Sequence, residues 1–386
     1  MKYKLKDIFD LQMGKTPPRN NQDYWNTNDN KWISIADLSK TGKYISKTKE
    51  CLSDDAVKNS GIKVIPANTV VMSFKLSIGK TAITAEDMYS NEAIMAFHDR
   101  HVVEILPEYI FYMFKYKNWD ESSNKAVMGK TLNKATLSEV VVEICPIEKQ
   151  REIVTILDKM MDILSGREQE LQLLDDLIKA RFVEMFGDPV CNPLRWEKKT
   201  LKEVCIKLND GTHFSPESFE TGEYKYVTAK NIKMSGFDFT NITYVPEEVH
   251  RPIYERCNPE LGDVLYIKDG VTTGIAMVNT LEEEFTLLSS VALLKQDRRI
   301  MNGHFLSALL NDENMYTDIR SNMGGAAITR LTIAKLNTIK VILPPIELQT
   351  QFAAFVEQTN KSKAVIQKAL DKTQLLFDSL MQKYFG

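Results

Sequence analysis

The chain has 386 residues with 43% hydrophobic and 26% charged side chains, which describes an ordinary globular protein and excludes a disordered one. Its formal net charge of −3 excludes the strongly basic composition of a protein that holds nucleic acid unaided, so any such binding needs local patches or a partner. The five cysteines form no CxxC pair, which predicts free thiols in a reducing cytoplasm and no zinc site.

The first 145 residues predict a mixed α/β domain. MKYKLKDIFDLQMGK contains no apolar run typical of a signal peptide. The β-rich runs KWISIADL and NTVVMSFKLSIGKTAI follow, and the amphipathic stretch PEYIFYMFKYKNW then predicts a helix, with Pro107 in its first turn. The run EVVVEICP predicts a closing strand.

A long helix is predicted next, over residues 146–187. Its apolar residues are separated by alternating steps of four and three, which is typical of a coiled-coil seam. Gly187 is suited to a helix C-terminus, and the two prolines of GDPVCNPLRW prevent the helix from continuing.

The second half repeats the first. PIEKQ at 146–150 returns as PIELQ at 345–349, which is 199 positions later, and this alignment needs no gap from Leu132 to Gly187. The upstream runs YKYVTAKNI, GDVLYIKDGVTTGIAMV and GHFLSALLNDENMYTDI also match the order of the first half. The sequence therefore predicts a duplicated domain-plus-helix unit with four segments: 1–145, 146–187, 188–344 and 345–386.

The two predicted helices are expected to form an antiparallel coiled coil. Each apolar seam runs for about 33 residues, or about 50 Å at 1.5 Å per residue, which is too long to be covered by one small domain. The first carries more acids than bases and the second slightly more bases, which favours pairing with each other. The alternative is two amphipathic helices, each packed on its own domain. The predicted seam residues are Ile153, Leu157, Met160, Leu164, Leu171, Leu174, Ile178, Phe352, Val356, Ile366, Leu370, Phe377 and Leu380.

Common catalytic motifs are missing from the sequence. GKT occurs three times, but the glycine that a P-loop needs five residues earlier is replaced by Phe9, Phe74 and Asn124. No GxSxG or GxGxxG stretch is present, and HDRH at 98–101 supplies two histidines without a third metal ligand.

Polar loops between the strands are the remaining candidates for function. Lys and Arg are suited to guanine and to phosphates, and Asn is suited to adenine. Two similar domains would suit a reader of two DNA half-sites. The candidate DNA contacts are Lys15, Thr16, Arg19, Lys75, Ser77, Lys80, Lys130, His213, Lys230, Asn231, Lys268, Thr272, Thr273 and Arg330.

The repeated PIExQ helices that end in FG, with GKTP…WISIADL and DGTH…YVTAKNI at the domain starts, resemble the specificity (HsdS) subunit of type I restriction–modification systems. The resemblance covers essentially the whole chain. It implies two target recognition domains, each reading one half of a split target in double-stranded DNA, and helices that act as spacer and docking surface.

The resemblance also implies partners. Two methyltransferase subunits would bind the chain and carry S-adenosylmethionine, and motor–nuclease subunits would join them. The motif [DN]PP[YF] is absent, so no methyl-transfer site or cofactor is expected on this chain. We therefore interpret the sequence as a non-catalytic DNA-specificity subunit. The alternatives are a self-contained modification enzyme and a coiled-coil adaptor that does not bind DNA.

Overall fold

The computed structural model describes residues 1–25, 27–75, 77–119, 132–321 and 330–386, and these residues form two compact units. Unit 1 comprises Met1–Arg167 with Ala369–Gly386, and unit 2 comprises Glu168–Lys368. Each unit therefore contains one globular part and a segment of both long helices. The boundaries predicted from the sequence, at residues 145 and 344, are placed where the long helices start. They stay a prediction of where the recognition domains end.

Unit 1 is a mixed α/β structure. Its described strands are β1 (Lys2–Lys4), β2 (Phe9–Met13), β3 (Asn30–Ile33), β4 (Tyr44–Ile45), β5 (Glu50–Leu52), β6 (Val70–Ser73), β7 (Thr81–Thr84), β8 (Tyr89–Ser90), β9 (Ile94–Asp99) and β10 (Val141–Glu143). Its short helices are α1 (Leu5–Ile8), α2 (Ile35–Lys40), α3 (Asp54–Ser60), α4 (Pro107–Tyr116) and α5 (Lys134–Ser138). The described strands form three sheets, with the orders β2-β9-β6-β7-β4, β5-β3-β8 and β1-β10.

Unit 2 has the same kind of structure. Its described strands are β11 (Lys198–Thr200), β12 (Cys205–Asp210), β13 (Tyr224–Val227), β14 (Ile232–Lys233), β15 (Gly236–Phe237), β16 (Thr243–Val245), β17 (Val264–Ile267), β18 (Ala276–Val278), β19 (Thr286–Leu287), β20 (Val291–Gln296) and β21 (Lys340–Ile342). Its short helices are α7 (Leu201–Val204), α8 (Glu247–Arg256), α9 (Gly303–Asn311), α10 (Glu313–Ser321) and α11 (Ile333–Thr338). The described sheets have the orders β12-β20-β17-β18, β16-β13-β19, β11-β21 and β14-β15.

The strand orders show the duplication directly. β2-β9-β6-β7 corresponds to β12-β20-β17-β18, and β1-β10 corresponds to β11-β21. The three-stranded sheets correspond as well, because each contains one parallel pair, β3 with β8 and β13 with β19. The prediction of a duplicated mixed α/β fold is confirmed.

Helix α4 shows how the apolar pattern forms a core. Pro107 occupies its first turn, and every side chain from Tyr109 to Phe114 is buried, some against the sheet of unit 1 and others against the long helices. The Phe114 ring meets Phe97 of β9 edge to face, with ring centroids 4.8 Å apart. Burial of each such large side chain stabilises the fold by about 1.5–3 kcal/mol relative to exposure.

The long helices are α6 (Ile147–Phe186) and α12 (Ile346–Phe385), each of 40 residues and about 60 Å long. In unit 1 the first half of α6 packs against the last part of α12, and Arg167 donates to the Thr373 hydroxyl at 2.9 Å. In unit 2 the last part of α6 packs against the first half of α12, and Asp175 pairs with Lys363. The helices therefore pair antiparallel.

All thirteen predicted seam residues are buried or half-buried in the structure. The sequence pattern missed Phe182, Phe186 and Met381, which are also buried. These three lie at steps of four beyond Ile178 and Phe377, where the 3.5-residue coiled-coil spacing gives way to packing against a globular core.

The repeated PIExQ stretch has a structural explanation in its glutamine. Gln150 is fully buried in the first turn of α6, where its side-chain oxygen accepts from the Leu106 amide at 2.9 Å. Gln349 is equally buried in α12 and accepts from the Asn302 amide at 2.9 Å. Both side-chain amides also donate to two backbone carbonyls. Each glutamine thus ties a long helix to the segment that precedes α4 or α9.

Three further findings concern the described part of the chain. None of its helices is both long enough and apolar enough to cross a membrane. All five cysteines are free thiols. No group of three His, Cys, Asp or Glu side chains within it is arranged to hold a metal ion.

Candidate nucleic-acid interface

One backbone turn in each unit holds the polar loops together. In unit 1 the Ser90 carbonyl accepts from the Lys15 amide at 2.8 Å, and the Ala93 carbonyl accepts from the Phe74 amide at 2.9 Å. The loops after β2 and β6 therefore meet at residues 90–93. We call residues 90–93 the loop frame of unit 1.

The loop frame of unit 2 is residues 287–290, and it makes the corresponding bonds. The Leu287 carbonyl accepts from the Thr212 amide at 2.8 Å, and the Ser290 carbonyl accepts from the Lys268 amide at 2.9 Å. The loops after β12 and β17 meet there. The two frames place loops of different sequence on the same backbone pattern.

A glycine permits the close approach in each frame. A Cβ atom on Gly14 would lie 2.2 Å from the Asn91 carbonyl oxygen, and one on Gly211 would lie 1.9 Å from the Leu287 carbonyl oxygen. No side chain fits at either distance, so the glycines of MGKT and DGTH are required by packing against a neighbouring backbone.

A third loop in each unit is hydrogen-bonded to the loop that follows β6 or β17. The Leu132 amide donates to the Phe74 carbonyl at 3.1 Å, and the Leu331 amide donates to the Lys268 carbonyl at 2.8 Å. Lys130 and most of the GGAAITR stretch lie just before these leucines, outside the described residues. Phe74 and Lys268 therefore occupy equivalent positions in the two units.

Three predicted residues of unit 1 gather around one carboxylate, that of Glu92. The Thr16 hydroxyl donates to Glu92, and this hydrogen bond is the main reason that the pKa of Glu92 lies below its usual range. Burial opposes the shift, and the nearby charges of Lys75 and Arg19 lower the pKa further. Thr16 therefore contacts Glu92, whereas Arg19 and Lys75 act on it through their charges, and we call these residues the cluster around Glu92.

Arg19 is held in a fixed orientation within this cluster. Its guanidinium makes two hydrogen bonds to Glu50, at 2.6 and 3.1 Å, and lies 3.7 Å from the centroid of the Trp25 ring. Half of the side chain is still exposed. A planar, stacked and half-exposed guanidinium is suited to a base edge or a phosphate.

The other predicted residues of unit 1 are less concentrated. The Lys15 ammonium donates to the Ser60 carbonyl at 2.5 Å, and the Lys80 ammonium donates to the Ser39 hydroxyl. Ser77 is exposed at the tip of the loop between β6 and β7. These three positions stay predicted DNA contacts.

In unit 2 a buried carboxylate organises the corresponding loops. Asp210 has a side chain that is only 5% exposed, and its Oδ2 lies 3.2 Å from the Lys268 Nζ. Its Oδ1 lies 3.1 Å from His213 Nε2 and 3.5 Å from Arg256 Nη1. Because Arg256 and His213 are partly exposed, one buried ion pair presents two nitrogen-bearing side chains to solvent.

Three predicted DNA contacts in unit 2 are internal instead. Lys268 is 2% exposed and pairs with Asp210, and its equivalent in unit 1 is the core residue Phe74. Asn231 is buried, and its side-chain oxygen accepts from the Thr228 amide at 3.0 Å, which caps a short 3-10 helix. Thr273 is fully buried, with its hydroxyl 2.6 Å from the Gly270 carbonyl. We assign structural roles to all three.

Exposed members of the predicted set remain in unit 2. Lys230 and Thr272 are exposed. His213 is 59% exposed, and Arg330 is 54% exposed with its Nε 3.5 Å from Asp269. These four stay predicted DNA contacts.

Arg256 is a candidate contact that the sequence pattern missed. It ends α8 and lines a cleft of about 330 Å³ together with Thr212, His213 and Phe214. No local signal indicates this position, since Arg256 lies far along the chain from the DGTH loop. In the folded protein, the Asp210 carboxylate brings Arg256 close to His213 of that loop.

Comparisons with known proteins identify the family. Residues 1–173 and 193–373 match the family described as type I restriction modification DNA specificity domain. The type I restriction enzyme MjaIX specificity subunit of Methanocaldococcus jannaschii is 23% identical over 98% of this chain and 91% of its own length. The EcoprrI specificity subunit of Escherichia coli is 23% identical over 92% of this chain and 86% of its own length.

Solved structures agree on the fold. The S subunit of a type I restriction-modification system from M. genitalium matches with a TM-score of 0.58 at 16% identity, covering 100% of this chain and 96% of that one. A chain from a structure of complex assembly and conformational transition in the type I R-M system matches with a TM-score of 0.57 at 18% identity, covering 100% and 97%. Because the family match includes both halves of the chain, this protein belongs to the type I restriction–modification DNA specificity family.

Proposed function

We propose that this chain gives a type I restriction–modification complex its DNA sequence specificity, and that each unit reads one half of a split target. The observation that carries this proposal is the pair of loop frames. Each frame holds the same backbone geometry but presents different side chains, as a duplicated reader of two half-sites requires.

The two half-sites should differ in sequence. Where unit 1 has Phe74 followed by Lys75, unit 2 has Lys268 followed by Asp269. The charge at the second position is therefore reversed between the units. A reader built from such unequal halves recognises an asymmetric target, unlike the palindrome of a homodimer.

We propose that two methyltransferase subunits dock on the long helices. Leu177 of α6 and Leu376 of α12 are equivalent by the repeat, and they are 48% and 52% exposed. Exposed apolar residues at equivalent positions of a duplicated chain would suit two copies of one partner. Motor–nuclease subunits would join this complex, which we place in the cytoplasm with the DNA.

The chain itself is proposed to be non-catalytic, with S-adenosylmethionine bound by the methyltransferase. The test is transfer of a radiolabelled methyl group to DNA by the purified chain, alone and with its methyltransferase. We expect no transfer by the chain alone and site-specific adenine methylation by the complex. Methylation by the chain alone would contradict the proposal, and so would a complex that methylates without sequence preference.

The cluster around Glu92 supplies a residue-level prediction. Lys75→Ala should weaken binding of the complex to its target by about 1–3 kcal/mol if Lys75 contacts a base, with relaxed specificity at one position. A phosphate contact would instead weaken binding to all sequences and reduce the salt dependence. The measurement is a salt titration of DNA affinity, with Lys159→Ala on the exposed face of α6 as control. Equal affinities for the two variants would remove Lys75 from the interface.

A further inference from the structure

A cavity of about 570 Å³ lies in unit 1, where α4 and β10 meet the ends of α6 and α12. Its apolar lining includes Tyr109, Ile153 and Phe385, and the Tyr109 and Phe385 rings lie 5.3 Å apart. Its volume falls within the range of small-molecule pockets, about 300–1,000 Å³, so it has room for one side chain of a partner. Phe385 is only half-buried here.

The equivalent surface of unit 2 is covered by the chain itself. Residues 188–197, which we call the linker, fold back over the end of α6. The Trp196 indole N–H donates to the Phe186 carbonyl at 3.0 Å, and Pro193 lies against Gly187. Phe186, the equivalent of Phe385, is 0% exposed, and its ring also packs against Phe305 and Phe352.

The carboxylate of Asp188 also holds the linker in place. The Asp188 carboxylate accepts from the Asn314 side chain at 2.8 Å and from the Val190 amide at 2.8 Å. Asp188 therefore fixes the linker, while Val190 and Trp196 pack against the hydrophobic core of unit 2.

The rim of the unit 1 cavity is basic. It carries four lysines and one acidic side chain: Lys2, Lys117, Lys149, Lys383 and Glu143. Lys149 shares its charge with Glu152, at 2.9 Å. By the repeat, the four equivalent positions in unit 2 are Lys198, Glu313, Leu348 and Glu184. Because of this difference in charge, the unit 1 cavity is suited to a more acidic occupant than the surface of unit 2 that the linker covers.

We propose that this cavity binds an acidic polypeptide segment of a partner protein through an aromatic anchor residue, in the way that the linker covers unit 2. The aromatic side chain would pack on Tyr109 and Phe385, as Trp196 does on the core of unit 2. Acidic neighbours would pair with the lysine rim. The inference does not rest on DNA reading, and none of the residues that line the cavity belongs to the loop frame.

The test is binding of a fluorescent peptide to the full-length protein, measured by anisotropy. The probe has the sequence of residues 188–197 with the change Cys191→Ser, and it carries one tryptophan and two acids. Trp196→Ala in the peptide should weaken binding about thirtyfold, the equivalent of a 2 kcal/mol anchor residue. Replacing both peptide acids by lysine should weaken it about tenfold, or 1.4 kcal/mol.

Protein variants assign the binding to this cavity. Lys149→Glu with Lys383→Glu reverses part of the rim and should weaken peptide binding about tenfold, or 1.4 kcal/mol. Lys361→Glu with Lys368→Glu is the matched control, since both lysines are exposed on α12 but lie in unit 2. Thermal unfolding checks that both variants are folded. Binding no tighter than that of a scrambled peptide, or equal weakening by both variants, would overturn the proposal.

Discussion

Asp210→Ala is expected to destabilise unit 2 by about 3–5 kcal/mol, because it leaves the ammonium group of Lys268 buried without a carboxylate partner. The Lys268 side chain is 2% exposed, so water cannot replace the lost contact. Lys268→Met should destabilise less, because Asp210 keeps its contacts with His213 and Arg256. The double variant should recover part of the loss, since it removes the unpaired charge.

The measurement is equilibrium unfolding in denaturant. Glu139→Ala in unit 1 is the control, because it removes ion pairs to Lys4 and Lys6 that are half-exposed, and its unfolding midpoint should change little. A Lys268→Met protein that keeps wild-type stability but loses discrimination at one base would contradict the structural role and restore Lys268 as a base contact.

Lengthening both long helices by seven residues should lengthen the gap between the DNA half-sites by about three base pairs. Seven residues keep the heptad phase and add about 10 Å at 1.5 Å per residue, which is about three steps of 3.4 Å. The Arg167–Thr373 and Asp175–Lys363 contacts show which positions face each other. Insertions after Leu171 and after Gln367 therefore lie opposite one another.

The half-sites themselves should stay the same, because the loop frames are untouched. Activity should fall, since three base pairs also rotate one half-site by about 100° around the duplex. An insertion after Leu171 alone is the control. It shifts one helix against the other and should lose activity without yielding a new spacing. Methylome sequencing of cells that carry each variant provides the measurement, and an active doubly lengthened protein with an unchanged gap would exclude the helices as the spacer.

The duplication and the long helices could be predicted from the sequence because they are encoded by spacing. PIExQ recurs 199 positions later, and the 3.5-residue seam marks residues that the structure buries. Phe182 and Met381 escaped that pattern because they obey the packing of a globular core rather than of a helix pair.

The site was harder to predict, because residue type alone does not reveal burial. Lys268 lies in a polar loop sequence, KDGVTTG, yet it occupies the position of Phe74 and points inward to Asp210. Arg256 joins that cluster from a distant helix. By contrast, Thr16, Arg19 and Lys75 were predicted as candidates, and the structure groups them around Glu92, a residue that the loop pattern did not single out.

The central claim is that each half of the chain reads its own half-site. The most direct test replaces residues 1–145 with the first domain of another family member and determines the methylated motif by methylome sequencing. We predict that one half-site changes completely, while the other half-site and the gap between them are preserved. A motif that changes in both half-sites, or in neither, would contradict the account.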